Sequence, residues 1–364
     1  MKHLIVLLVI LPLFSFAQTK SATYAKAIAL AEDSIHKFMT LRKMPGASVT
    51  VSVDGKIIWS EGFGYADLEQ KVPVYPSKTK FRIGSISKSL TAATLARLYE
   101  QKKIILDSSI YFYLPEFPKH RYRPSVRQVA GHIGGIRSYK GNEFFISKHY
   151  NSVSEALSVF KDDSLNSRPG SKYEYSSHGF NLLSAVIEKT AHKEFLKYMK
   201  SEVFDQLQLT NTTPDLNDSI IDYRTRFYVV RNNTWQNAPY VDNSYKWAGG
   251  GFISCSEDIT RFAEALLRND FLKSETIRLF TTPQKLNNGS LTTYGMGFAS
   301  GKDSKGISYF GHAGGSVGGT SNMVIYPESK ITVVVLTNLS DARLGDIASH
   351  VAYLFMTNTA APKK

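Results

Sequence analysis

Cysteine is nearly absent. The chain of 364 residues holds one, Cys255, which excludes an intrachain disulfide and a cysteine-built metal cluster. Cys255 reads as a small buried hydrophobe. Histidine is thin as well: nine are scattered along the chain, and none forms a His-x-x-x-His or Glu-x-x-His pair, so a metal site has no support. Nucleotide-binding loops, dinucleotide glycines, internal repeats and low-complexity tracts are missing too. No cofactor is expected. Beyond the first 17 residues no apolar run approaches the roughly 20 residues that a membrane span needs.

Acidic residues are the minority among the charges, 31 against 44 basic, for a net +13. The basic residues are dispersed, with no runs of five or more, and no zinc-finger, helix-turn-helix or RNA-binding signature accompanies them. Nucleic acid is therefore excluded as a partner, while anionic surfaces or acidic substrates stay open. The opening Met1-Lys-His-Leu-Ile-Val-Leu-Leu-Val-Ile-Leu-Pro-Leu-Phe-Ser-Phe-Ala17 has one lysine, an apolar stretch, and Ser15 and Ala17 placed for cleavage. It reads as a signal peptide over residues 1–17, making the protein secreted or periplasmic. Loss of 17 of the 364 residues leaves 347, enough to bury a full core.

Residues 23–42 carry Ile28, Ala31, Ile35, Phe38 and Met39 at helical spacing. Residues 46–53 and 57–63 read as a hairpin turning at Asp54-Gly55. Strands are expected at Thr320–Tyr326 and Lys330–Asn338, with helices at 152–161, 178–191, 256–268 and 341–357. The class implied is α+β: an antiparallel sheet built from both termini and flanked by helices, with an inserted, mostly helical region. One domain is expected over 18–364, its α/β part about 23–106 and 296–360, its helical part about 107–295. The cleft between the two parts is the default site.

The richest stretch is Phe81-Arg-Ile-Gly-Ser-Ile-Ser-Lys-Ser-Leu90. It sets Ser85 three residues before Lys88, at the start of a helical pattern through Leu90, Ala93, Leu95 and Leu98. Residues three apart share a helix face, so hydroxyl and amine stand side by side and can make an activated nucleophile. Ser-x-x-Lys also occurs at Ser34–Lys37, Ser77–Lys80 and Ser158–Lys161, but without a preceding glycine and a long apolar helix. The bland alternative for Ser85 is a plain helix N-cap.

A second element is Pro169-Gly-Ser-Lys-Tyr-Glu-Tyr-Ser-Ser-His-Gly-Phe180. Here Tyr175 sits at a loop-to-helix boundary; an ammonium group near its hydroxyl would favour the phenolate and so its use as a base, and the bland alternative is a buried tyrosine with a satisfied hydroxyl. A third is Tyr309-Phe-Gly-His-Ala-Gly-Gly-Ser-Val-Gly-Gly-Thr320, whose glycines allow a strand edge to approach a substrate and aim a backbone N–H at a carbonyl.

In this order the elements resemble the serine β-lactamase and penicillin-binding-protein superfamily. The likeness is to its class C-like branch, which holds esterases, D-amino-acid peptidases and a mitochondrial β-lactamase-like member, and Ser-Ile-Ser-Lys-Ser-Leu-Thr and Gly-Gly-Ile-Arg-Ser-Tyr look most like that member. It covers roughly residues 25–355 and takes in Leu106-Asp, Tyr113-Leu-Pro-Glu-Phe, Val126-Arg-Gln-Val-Ala-Gly-His-Ile-Gly-Gly-Ile136, Ala248-Gly-Gly-Gly-Phe252 and Gly311-His-Ala-Gly-Gly315. The resemblance implies Ser85 as the acyl-accepting nucleophile, Lys88 and Tyr175 as the proton-transfer pair, and the N–H groups of Ser85 and Gly315 as the oxyanion hole. Ser177, His312 and Gly314 fall at substrate-binding positions, and His132 reads as a loop histidine bonded to backbone. Two departures stand out. The family's Tyr-x-Asn is Tyr175-Ser-Ser177, and His312, only partly charged near pH 6.5, replaces a lysine. The implied function is a serine hydrolase acting through an acyl-enzyme on a small-molecule or peptide substrate, with weak β-lactam hydrolysis. A small-ester esterase of the same fold, or a non-catalytic binding or assembly protein, is the alternative.

Overall fold

The computed structural model describes residues 19–358; the leader at 1–17 lies outside them. Helix α1 (Ala25–Arg42) leads into β1 (Gly46–Val53) and β2 (Lys56–Asp67), then α2 (Ile86–Glu100). The middle of the chain contributes α3 (Ser177–Ala191) and α4 (Ser256–Arg268). The chain returns to the sheet with β3 (Ala299–Lys302), β4 (Ser308–Ser316), β5 (Gly319–Tyr326) and β6 (Ile331–Thr337), and closes with α5 (Ile347–Thr357). The main path is antiparallel, in the order Thr19–Lys20, β2, β1, β6, β5, β4, β3. The two termini are thus joined at β1–β6, where Val51 stands opposite Val333. The class is α+β, as the sequence indicates.

Strand periodicity sorts the core. Along β6, Val333 and Val335 join Ala27, Ile35, Ala348 and Phe355 under the α1–α5 pair. Val334 and Leu336 face the other way, into the core with Ile83, Leu90 and Phe262. Each fully buried Val, Ile, Leu or Phe among them contributes about 1.5–3 kcal/mol. In β1 the alternation is apolar against hydroxyl: Ala47, Val49 and Val51 pack on the helix pair, while Ser48 and Thr50 meet Ser256 of α4 at 2.6 and 2.7 Å. Those hydroxyls are buried but partnered, which removes most of the cost of hiding them. The turn between β1 and β2 has positive φ at both Asp54 and Gly55, the geometry a tight hairpin needs.

Boundaries shift in three places. The 152–161 pattern gives only Val153–Ala156 as α-helix, followed by the 3-10 turn Leu157–Val159. Helix α5 starts at Ile347, not 341, because Asp341, Arg343 and Gly345 all have positive φ, which no α-helix accepts. Strand β2 runs on to Asp67. Inside the inserted region Arg137 is the tie point. It binds Glu143 at 2.7 Å and Asp163 at 2.5 Å, and His178 of α3 bonds the same Glu143 at 3.0 Å. Among the described residues no helix is long and apolar enough to cross a membrane.

Candidate active site

A small three-stranded sheet leads into Ser85, the candidate nucleophile. Phe81–Arg82 pairs with Phe252–Ser254, which pairs with Thr213–Pro214. The next residues, Ile83 and Gly84, lead directly into α2. Gly84 has φ +48, and an added Cβ would stand 2.7 Å from the Gly315 nitrogen. Only glycine meets both demands, so Gly84 is what lets the start of α2 lie against β4. Ser85 has helical dihedrals and its side chain makes no capping bond, which rules out the plain N-cap.

The Ser85 hydroxyl instead meets Lys88, whose Nζ is 2.9 Å from Ser85 Oγ and 3.0 Å from Ser177 Oγ. Nζ also donates to the Gly249 carbonyl. Gly249 is needed there: a Cβ on it would be 2.8 Å from the Ser177 carbonyl oxygen. Lys88 is fully buried. Burial, and then the charge of Lys246, hold its amine well below the usual lysine range. A neutral amine has two N–H donors, matching Gly249 and Ser177, and one lone pair left for the Ser85 proton.

The Tyr175 hydroxyl lies close enough to Ser85 to feel its hydroxyl, and Lys88 Nζ lies 4.9 Å from the Tyr175 ring centroid. Although the residue as a whole is 37 % exposed, the surroundings of the hydroxyl set its acidity. Desolvation there drives its pKa up, against the smaller opposing effect of the nearby Ser85 hydroxyl. This corrects the expectation of a favoured phenolate: a desolvated, neutral lysine beside a phenol does not pull its proton off. His132 supports the ring from behind, centroid to centroid at 4.3 Å, and its Nδ1 accepts from the Ser176 N–H at 3.2 Å. It is the backbone-bonded loop histidine the sequence suggested.

On β4 the placements differ from expectation. His312 is buried, its Nδ1 donating to the Ala313 carbonyl at 2.6 Å and its Nε2 2.8 Å from the Tyr294 hydroxyl. With Nδ1 as donor, Nε2 accepts from Tyr294. Burial, then repulsion from Lys88, bring its pKa to about 3. It is therefore neutral at physiological pH, not partly charged, and both ring nitrogens are occupied. Gly314 is buried, with a Cβ position 2.1 Å from the Ile83 carbonyl oxygen. Its bareness serves packing rather than a substrate-facing surface. Gly315 is exposed and a Cβ there would meet nothing. Strand β3 pairs only with Ser308–Gly311, so among the described residues no strand flanks that edge of β4 from His312 onward. Ser177 is a hydrogen-bond partner of Lys88, not part of the strand edge.

Ser85, Lys88, Tyr175, Ser177 and the Gly84–Gly315 approach thus converge. Three contributors escaped the sequence reading: the Gly249 carbonyl, Tyr294 and Lys246. Ala248-Gly-Gly-Gly-Phe252 was a visible signal for the first. Nothing local marks Tyr294, which is one tyrosine among twenty. Among the described residues no group of histidine, cysteine or acidic side chains is placed to hold a metal.

The Beta-lactamase family matches residues 31–352. Serine beta-lactamase-like protein LACTB, mitochondrial, from Homo sapiens is 31% identical, over 92% of this chain and 81% of its own length. The octameric penicillin-binding protein homologue from Pyrococcus abyssi superposes with a TM-score of 0.75 at 25% identity, over 90% of this chain and 76% of its own. A D-stereospecific amidohydrolase from Streptomyces sp. shares the fold, with a TM-score of 0.73 at 23% identity over 91% of this chain and 98% of its own. A serine and a desolvated lysine on α2, a tyrosine at the foot of α3 and a glycine edge on β4 are thus combined with similarity along nearly the whole described chain, and the chain belongs to the β-lactamase family.

Proposed function

We propose that this protein is a secreted or periplasmic serine hydrolase that cleaves ester or peptide-like amide bonds through an acyl-enzyme at Ser85. The observation that carries the reading is the 2.9 Å approach of Ser85 Oγ to a buried Lys88 whose amine is held well below its usual range. Lys88 takes the Ser85 proton as Oγ attacks the carbonyl carbon. The N–H groups of Ser85 and Gly315 receive the oxyanion. Tyr175, kept protonated, gives its proton to the leaving group and is resupplied from Lys88. Water then repeats the cycle on the acyl-enzyme. A neutral His312 leaves the strand wall without the cation that would hold a β-lactam carboxylate there, so β-lactams are poor substrates.

The test is intact-protein mass after exposure to a fluorophosphonate and to a panel of esters, peptides and β-lactams. One adduct is expected on wild type and none on Ser85→Ala. The acyl-enzyme should turn over fastest with esters or peptides, and more slowly with β-lactams. An adduct that persists on Ser85→Ala overturns the assignment. A wild type that neither labels nor turns over any member supports a binding or assembly role instead.

A further inference from the structure

Lys246 is a second buried lysine that acyl transfer leaves without a task. It ends the turn Ser244–Lys246 and is 2 % exposed. Among the described residues its Nζ has no hydrogen bond and no ion pair. Three rings surround it, with centroids at 4.4 Å (Phe144), 5.2 Å (Tyr245) and 5.7 Å (Tyr139). The carboxylate that attracts it, Asp215, is already engaged by Arg82 at 2.6 Å, Asn243 at 2.9 Å and Arg224 at 3.5 Å. Burial, then repulsion from Arg82, outweigh that attraction and bring the amine down to about 7.

The box adjoins the reaction centre. Tyr139 lies close enough to Ser177 to feel its hydroxyl, and Ser177 Oγ is 3.0 Å from Lys88 Nζ. One tyrosine and one serine therefore separate the two amines, and the repulsion between them reaches Lys88. Tyr139 and Phe144 are partly exposed, so the box borders the surface rather than a closed core. A methionine would fill such a box with no buried charge. Ring faces attract an ammonium only modestly, and a buried cation ordinarily has an anionic partner. The partner missing from the protein is one that a substrate can bring.

We propose that Lys246 is a specificity-determining residue that receives an ionised carboxylate carried by the substrate, a role that rests on acyl transfer at Ser85 as proposed above. Preferred substrates are then esters or amides bearing a free carboxylate in addition to the scissile bond. Arrival of the anion pairs the ammonium and keeps it protonated.

Two matched ester pairs test this: 4-nitrophenyl hydrogen adipate against its methyl ester, with the carboxylate on the acyl half, and 4-acetoxybenzoate against its methyl ester, with the carboxylate on the leaving group. The readout is the ratio of kcat/KM within each pair. Wild type should favour the free acid about tenfold or more in one pair, as a charge-assisted hydrogen bond provides. Lys246→Met should collapse that ratio, and Lys246→Arg should keep part of it. Lys246→Gln is read the same way if the methionine variant does not fold. A wild-type ratio at or below one in both pairs overturns the proposal, as does a preference that survives Lys246→Met unchanged. Fluorophosphonate labelling of the same wild-type sample separates the two layers. Labelling without carboxylate preference removes only the role of Lys246, whereas absent labelling and turnover remove acyl transfer as well.

Discussion

The two walls of the cleft are built on opposite plans. The helical wall, α2 with the start of α3, supplies side chains: Ser85, Lys88, Tyr175 and Ser177. Their chemistry is set by desolvation and by one another. The strand wall, β4, supplies backbone. Its one titratable group facing this region, His312, is neutralised and tied to Tyr294 and Ala313. The difference separates two requirements. Proton transfer needs groups whose pKa can be moved, hence side chains buried together. Oxyanion binding needs a fixed N–H and room beside it, hence glycine and a strand edge.

The sharpest break in this contrast comes from the helical wall. Lys88→Met and Tyr175→Phe should each lower the acylation rate of Ser85 on the order of 10²–10⁴-fold, as removal of a proton-transfer group does. The double variant should fall little further, because the two act as one unit. Single-turnover burst kinetics with an activated ester measures both. Normal turnover by Tyr175→Phe would return Tyr175 to the rank of an ordinary packed tyrosine.

A smaller effect separates two adjacent glycines on the strand wall. Gly314→Ala places a Cβ 2.1 Å from the Ile83 carbonyl oxygen, and relieving that overlap must move β4 away from the strand that leads to Ser85. The expected destabilisation is about 1–3 kcal/mol, typical of overpacking. Gly315→Ala meets nothing and should melt like wild type, while the added methyl slows bulky substrates. Thermal melting of both variants decides it: equal melting temperatures would show that Gly314 is not packed as described.

The β1–β2 hairpin was readable because Asp54-Gly55 is a local instruction, and α2 was readable because its periodicity is local too. Ser85 and Lys88 followed, since three residues of helix suffice to bring them together. The 152–161 pattern gives only a short helix, and Arg137, from outside it, donates to the Val159 carbonyl at 2.9 Å. The charge of His312 and the acidity of Tyr175 were misread. Both depend on what buries them, Tyr294 and His132 among others, and those neighbours lie far away in sequence. Lys246 carried no motif, and its isolation is visible only once the ring box is assembled.

The smallest expected effect is a titration that does not occur. A free histidine changes charge near pH 6.5, so a substrate-facing His312 would give an inflection there. The buried imidazole has its pKa brought down to about 3, and it should stay neutral from pH 5 to 8. A consequence for stability follows with a definite sign. Because the folded-state pKa is depressed, the unfolded chain takes up the proton first as pH falls. His312's penalty is absent above about pH 6.5, the unfolded value, and grows steadily as pH drops toward about 3. His178, brought to about 4 mainly by burial, adds to the loss in the same direction. Imidazole Cε1–H chemical shifts across pH 5–8 test the neutral assignment. A flat His312 signal is expected, together with unfolding that needs progressively less denaturant below pH 6. A His312 signal that titrates near 6.5 in the folded protein would place a cation on the strand wall and erase the contrast between the two walls.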